Sequence, residues 1–166
     1  MQIAPRTPQS VLIAWLPVEE PDLTVGPTLF AERRVLAVPT DHELTRRTSI
    51  SLEAVSHFQH VDALSTPGYW YDSYVPSHTR AGSPIERGPT VRTLDEILTL
   101  TSTGEVVTLF PDHMIRYSVR PDIAYVPVRD MSALPYAMVW HTESETEPIR
   151  ALAQTVRDLG PVETRR

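Results

Sequence analysis

Two stretches of this sequence bring hydroxyls, backbone donors and aromatic rings together where a helix is expected to begin. Ser65-Thr66-Pro67-Gly68-Tyr69-Trp70 joins an expected strand to an expected helix, and Arg92-Thr93-Leu94 does so a second time. A helix start carries unsatisfied backbone N–H groups that receive the carboxylate or hydroxyl of a small molecule. A structural reading stands beside each. Thr93 is equally a plain helix cap, and Tyr69, Trp70, Tyr71 and Tyr74 are equally the core face of a helix. Other groupings carry less chemistry. His57 and His60 stand three apart, near the spacing that aims two imidazoles at one metal, but no third ligand is close in sequence. Asp41-His42 and Asp112-His113 are adjacent pairs, which cannot face each other as acid and base. No Gly-x-Ser-x-Gly elbow and no phosphate loop occur. No catalytic residue, no metal and no cofactor is therefore expected, and the chain is not expected to be an enzyme.

Composition narrows the chemistry further. All 15 basic residues are arginine; lysine and cysteine are absent. That removes Schiff-base and thiolate chemistry and disulfides. A formal net charge of −6 argues against a basic nucleic-acid-binding face, so no direct DNA contact is expected. With 166 residues and 41% hydrophobic content, the chain is long enough for a hydrophobic core and too apolar for disorder. No apolar run approaches the ~20 residues of a membrane span. Met1 to Ser10 has no apolar segment of the kind that directs export, so a cytoplasmic location is expected.

The elements that must position these residues follow from the apolar pattern. Val11 to Leu16 is a continuous apolar run, as in a strand buried on both faces of a parallel sheet. Val25 to Leu29, Arg34 to Val38, His60 to Leu64, Thr90-Val91, Val106 to Phe110, Ile123 to Val128 and Tyr136 to His141 are further strand candidates. Ser49 to Phe58 carries a helix-start signal, and a second helix follows Pro67-Gly68 through Tyr69 to Val75. Thr93 caps an amphipathic helix with Asp95 and Glu96 in its first turn and Gly104 at its end. Ile149, Leu152, Val156 and Leu159 form an apolar stripe on a last helix over 145–159. Strands alternating with helices imply an α/β fold with a mostly parallel sheet.

Three segments taken together resemble the effector-binding domain of LysR-type transcriptional regulators. Gly26 to Leu44 resembles the family's crossing strand and its His-x-Leu turn, here Asp41-His42-Glu43-Leu44, with Glu where the family more often has Pro. Thr93 to Pro111 resembles the family's helix–Gly–strand–Pro unit, with Glu105 in place of its second Gly. Asp122 to Leu159 resembles its closing strands and terminal helix. The resemblance covers nearly the whole chain, from Val11 to Leu159.

The resemblance implies a periplasmic-binding-protein-like (type 2) α/β architecture whose first lobe is largely missing. Residues 1–10 are expected as a disordered start, 11–48 as a remnant of lobe one with the crossing strand, and 49–128 as lobe two. Residues 129–160 would form the return strand and C-terminal helix, and 161–166 a tail. No helix-turn-helix module is expected on this chain. The implied partner is a small-molecule effector, together with a homo-oligomer or a full-length regulator. The implied contacts are Trp15, Ser65, Thr66, Pro67, Tyr69, Trp70, Thr93, Leu94 and Pro111; Trp15, where some relatives carry Arg, points to a flatter or more apolar ligand. The alternatives are an interaction remnant that modulates a full-length regulator, a small enzyme, or a solute-binding component of a transporter.

Overall fold

The structure is a computed structural model and describes residues 10–63 and 67–162. Its contacts divide the chain into two compact units. Unit 1 is built from both chain ends, up to Glu32 and from Leu134 onward; unit 2 is the middle, Arg33–Ala133.

Unit 2 is organised around β3 (Arg34–Pro39), every residue of which is buried. It pairs antiparallel with β6 (Thr108–Pro111) on one side and β7 (Ile123–Pro127) on the other. β4 (His60–Ala63) and β5 (Arg87–Val91) form a parallel pair, tied towards β6 by the bridge between His60 and Val107. Alternation along β3 sends side chains to two cores. Leu36 and Val38 meet Ile50, Val55, Tyr71, Val75 and Leu109 on one face. Val35 and Ala37 meet Leu98, Phe110 and Ile123 on the other. The first face is covered by α1 (Leu52–Val55) and α2 (Gly68–Tyr74), the second by α3 (Leu94–Ser102). Gly104, at a φ of +77°, turns the chain out of α3, a left-handed conformation that L side chains rarely adopt. A short helix, α4 (Met114–Tyr117), follows β6 and was not expected from the sequence pattern.

Unit 1 is a three-stranded antiparallel sheet with β8 (Leu134–His141) between β1 (Leu12–Trp15) and β2 (Leu23–Glu32). The last helix, α5 (Glu147–Leu159), packs Ile149 and Ala153 onto Met138 and Trp140. The Trp140 ring lies so close to β2 that a Cβ on Gly26 would stand 2.5 Å from it. The β2–β8 register shifts on either side of Thr28, next to that point.

Three expectations are corrected. The sheets are not mostly parallel: among the described strand pairs only β4–β5 is, and the other four are antiparallel. An apolar run reports burial on both faces, which β3 has, but says nothing of the direction of its neighbours. Second, β1 is an edge strand, and Ile13 is 52% exposed rather than enclosed. Third, the α5 stripe is not wholly core, because Leu152 and Leu159 are exposed while Ile149 is buried. The sheet beneath α5 is only three strands wide.

Candidate functional site

The first expected contact region lies at α2. Pro67 caps it through geometry alone, its backbone extended and its carbonyl accepting from the Trp70 and Tyr71 N–H groups at 3.0 and 2.9 Å. Of the expected contacts, Pro67 and Tyr69 are half-buried, whereas Trp70 is 2% exposed and belongs to the interior. Ser65 and Thr66 lie outside the described residues. Tyr71 is also buried. Its hydroxyl donates to the Val61 carbonyl, and burial pushes the phenol up to about 12, so it remains a donor at neutral pH.

A helix of seven residues does not sustain itself. Two arginines from the sheets hold α2 at its far end. Arg34, buried at the start of β3, donates to the Ser73 carbonyl at 2.9 Å and to the Tyr74 carbonyl, its guanidinium 5.7 Å from the Tyr74 ring centre. Arg87, on β5, donates to the Val75 carbonyl at 3.2 Å and pairs with Asp72, its guanidinium 4.4 Å from the Tyr71 ring centre. Cations at a helix C-terminus complement its dipole as well as its free carbonyls. Sequence reasoning passed over both arginines, since their partners lie 12 to 40 positions away.

The second expected region, at α3, forms a complete capping box. The Glu96 N–H donates to the Thr93 hydroxyl at 3.2 Å. In return the Glu96 carboxylate accepts the N–H groups of Arg92 at 2.7 Å and Thr93 at 3.4 Å. The chain's own carboxylate thus occupies the position where an anion would bind a helix start. An open groove of about 380 Å³ runs beside it, between Thr90 and Val91 on β5 and Thr93, Glu96, Thr99 and Leu100 on α3, with Asp95 at its rim. The two carboxylates make the groove unfavourable for a second anion. Leu94 is exposed, and Pro111 is buried at the end of β6, opposite Arg34.

In unit 1 Trp15, the last residue of β1, is half-buried and pairs in register with Tyr136. Their rings meet edge to face at 6.4 Å, and Phe30 of β2 stacks on Tyr136 at 4.9 Å. Tyr136 and Phe30 were not among the expected contacts; only the strand register brings them to Trp15.

One unit from both ends of the chain and one from its middle, each an α/β layer structure, define the class as a periplasmic-binding-protein-like binding domain. The chain belongs to the LysR substrate binding domain family, whose model matches residues 10–161. No curated protein matches it in sequence. Among solved structures, the BenM effector binding domain with its effector benzoate is 19% identical, with a TM-score of 0.67 over 90% of this chain and 68% of that one. The effector binding domain of QuiR in complex with shikimate is 17% identical, with a TM-score of 0.62 over 89% of this chain and 68% of that one. Full-length CbnR, crystallised with its target DNA, is 18% identical, with a TM-score of 0.71 over 90% of this chain and 52% of that one. The chain therefore spans about half the length of that full regulator, and at these identities the likeness is one of fold.

Proposed function

We propose that this chain is the small-molecule effector-binding region of a LysR-type transcriptional regulator, acting by ligand recognition rather than catalysis and making no DNA contact of its own. The family match across residues 10–161 carries this reading. Structurally similar domains that hold benzoate and shikimate support an organic ring compound as the ligand class. The proposed contact set is Trp15, Ser65, Thr66, Pro67, Tyr69, Trp70, Thr93, Leu94 and Pro111. The half-buried Trp15, Pro67 and Tyr69 offer their surfaces directly, while a ligand reaching Trp70 or Pro111 must enter below the surface. In such a regulator, effector binding shifts the balance between two assembly states by its different affinity for each. A cytoplasmic setting and a homo-oligomer belong to the same proposal.

The test is a thermal-shift and calorimetric screen of the purified chain against small ring compounds, with benzoate and shikimate included. A saturable rise in melting temperature is expected, since ligand at about 100 times Kd adds roughly 2.7 kcal/mol. No shift from any compound overturns the reading. At Thr93, Thr93→Val weakens binding by more than it lowers stability if the hydroxyl touches the ligand; loss of stability alone marks it as a cap.

A second reading has its own observation. β1 is a sheet edge with Ile13 exposed, and Leu152 and Leu159 of α5 are exposed in the same unit. Open strand edges and apolar surface favour pairing with another chain, either a second copy or a full-length regulator. Light scattering of the chain alone and mixed with a LysR-type regulator decides it: a clean monomer in both refutes pairing.

A further inference from the structure

The aromatic row of unit 1 lies towards one end of its antiparallel sheet. β1 ends at Trp15 and β2 at Glu32, the same end at which β8 begins with Leu134. Tyr136 on the central strand pairs in register with Trp15 on one side and Phe30 on the other, so the three rings stand on one face at one level. The rings make an edge-to-face contact at 6.4 Å and a stacked contact at 4.9 Å with 20° between planes. Further along the same face α5 covers Met138 and Trp140, but Trp15 and Phe30 remain half-buried and their neighbour Ile13 is exposed. The chain's two other tryptophans, Trp70 and Trp140, are both enclosed.

We infer that the row Trp15–Tyr136–Phe30 is a stacking platform, so that the effector presents a planar aromatic ring rather than a saturated one. The inference rests on the reading of this chain as an effector-binding domain. Rings left partly open beside a third ring recognise a further π face through offset or edge-to-face packing, which a puckered ring does not reproduce. Glu32, two register pairs further along at the end of β2, is buried, and alternation puts it on the same face as the row. Recognition here therefore proceeds through ring faces, with a hydroxyl or amino donor on the ligand suiting Glu32.

The experiment uses the full chain and two matched pairs of probes: benzoate with cyclohexanecarboxylate, and benzyl alcohol with cyclohexylmethanol. The neutral pair removes the effect of charge. Calorimetry and ligand-detected NMR are expected to show the aromatic member binding about three- to tenfold more tightly. Trp15→Leu and Phe30→Leu each weaken the aromatic probe by a similar factor, and Trp15→Phe restores most of it. Benzoate also quenches fluorescence in the wild type and not in Trp15→Leu. Equal affinities within each pair overturn the inference without recourse to any variant. Shikimate binding that neither substitution weakens, with no aromatic preference, also overturns it and leaves the effector-binding reading standing. If no ring compound binds at all, both fall.

Discussion

The imidazole of His60 makes the acid stability of unit 2 predictable. His60 opens β4 with no exposed surface, and its Nε2 accepts the Leu109 N–H at 2.8 Å, linking β4 to β6. An accepting Nε2 places the single ring proton on Nδ1, so the folded ring is neutral. Burial, joined by the nearby Arg87 guanidinium, holds its pKa down to about 3. In the unfolded chain the same ring titrates near 6.5. The depressed value means that the His60 contribution is complete above pH 6.5 and is lost as pH falls towards 3, because the unfolded chain takes up a proton that the folded ring refuses. The slope is about 1.4 kcal/mol per pH unit, so the descent from pH 7 to pH 5 removes about 2 kcal/mol. Most carboxylates stay ionised over that interval, which isolates the effect. The comparison is His60→Gln, which keeps an acceptor for Leu109 and cannot titrate. Urea unfolding followed by far-UV circular dichroism at pH 7, 6 and 5 reads both proteins. His60→Gln is less stable at pH 7 but loses about 2 kcal/mol less on acidification. Equal losses in the two proteins, within about 0.5 kcal/mol, would refute the reasoning; the five other histidines are common to both.

Three further outcomes follow from contacts described above. Gly26→Ala drives a methyl group into the Trp140 ring and Met138, and is expected to destabilise unit 1 by about 1–3 kcal/mol in urea unfolding. Thr93→Ala and Glu96→Ala each lose about 1 kcal/mol from α3, and the double variant loses less than the sum because one capping box is removed only once; a double-mutant cycle measures the difference. Arg34→Met leaves the Ser73 and Tyr74 carbonyls without their guanidinium, costing about 3 kcal/mol. Hydrogen exchange then accelerates selectively in α2, and Arg34→Lys restores little, since one ammonium does not reproduce the planar fork.

What the sequence revealed divides by distance along the chain. The start of α3 was legible because every part of its cap lies within Arg92 to Glu96, and its end because Gly104 supplies the left-handed turn. β3 was legible as a strand from its unbroken apolar run. Its antiparallel neighbours were not, because strand direction is set by β6 and β7, some 70 to 90 positions further along. α1 shows the same limit at smaller scale. A helix start was expected from Ser49 onward, yet Ser51 makes no side-chain cap bond, and the Leu52 N–H goes to the Asp130 carboxylate at 2.7 Å. At the candidate site the family resemblance implied Trp15, but Phe30 and Tyr136 become its neighbours only through the register of three strands.

The central sheets of the two units differ in how fully they are covered, although unit 2 also leaves Leu94, Ile115, Tyr117 and Val119 exposed. In unit 2, β3 is enclosed on both faces by two separate cores, and α2 is secured from two strands by Arg34 and Arg87. Unit 1 has a three-stranded sheet with one helix on it, and leaves Ile13, Leu152, Leu159 and Val162 exposed. Exposed apolar surface gains most when something covers it. A compound stacking on Trp15 and Phe30, or a second chain laid along β1, would cover apolar surface of unit 1.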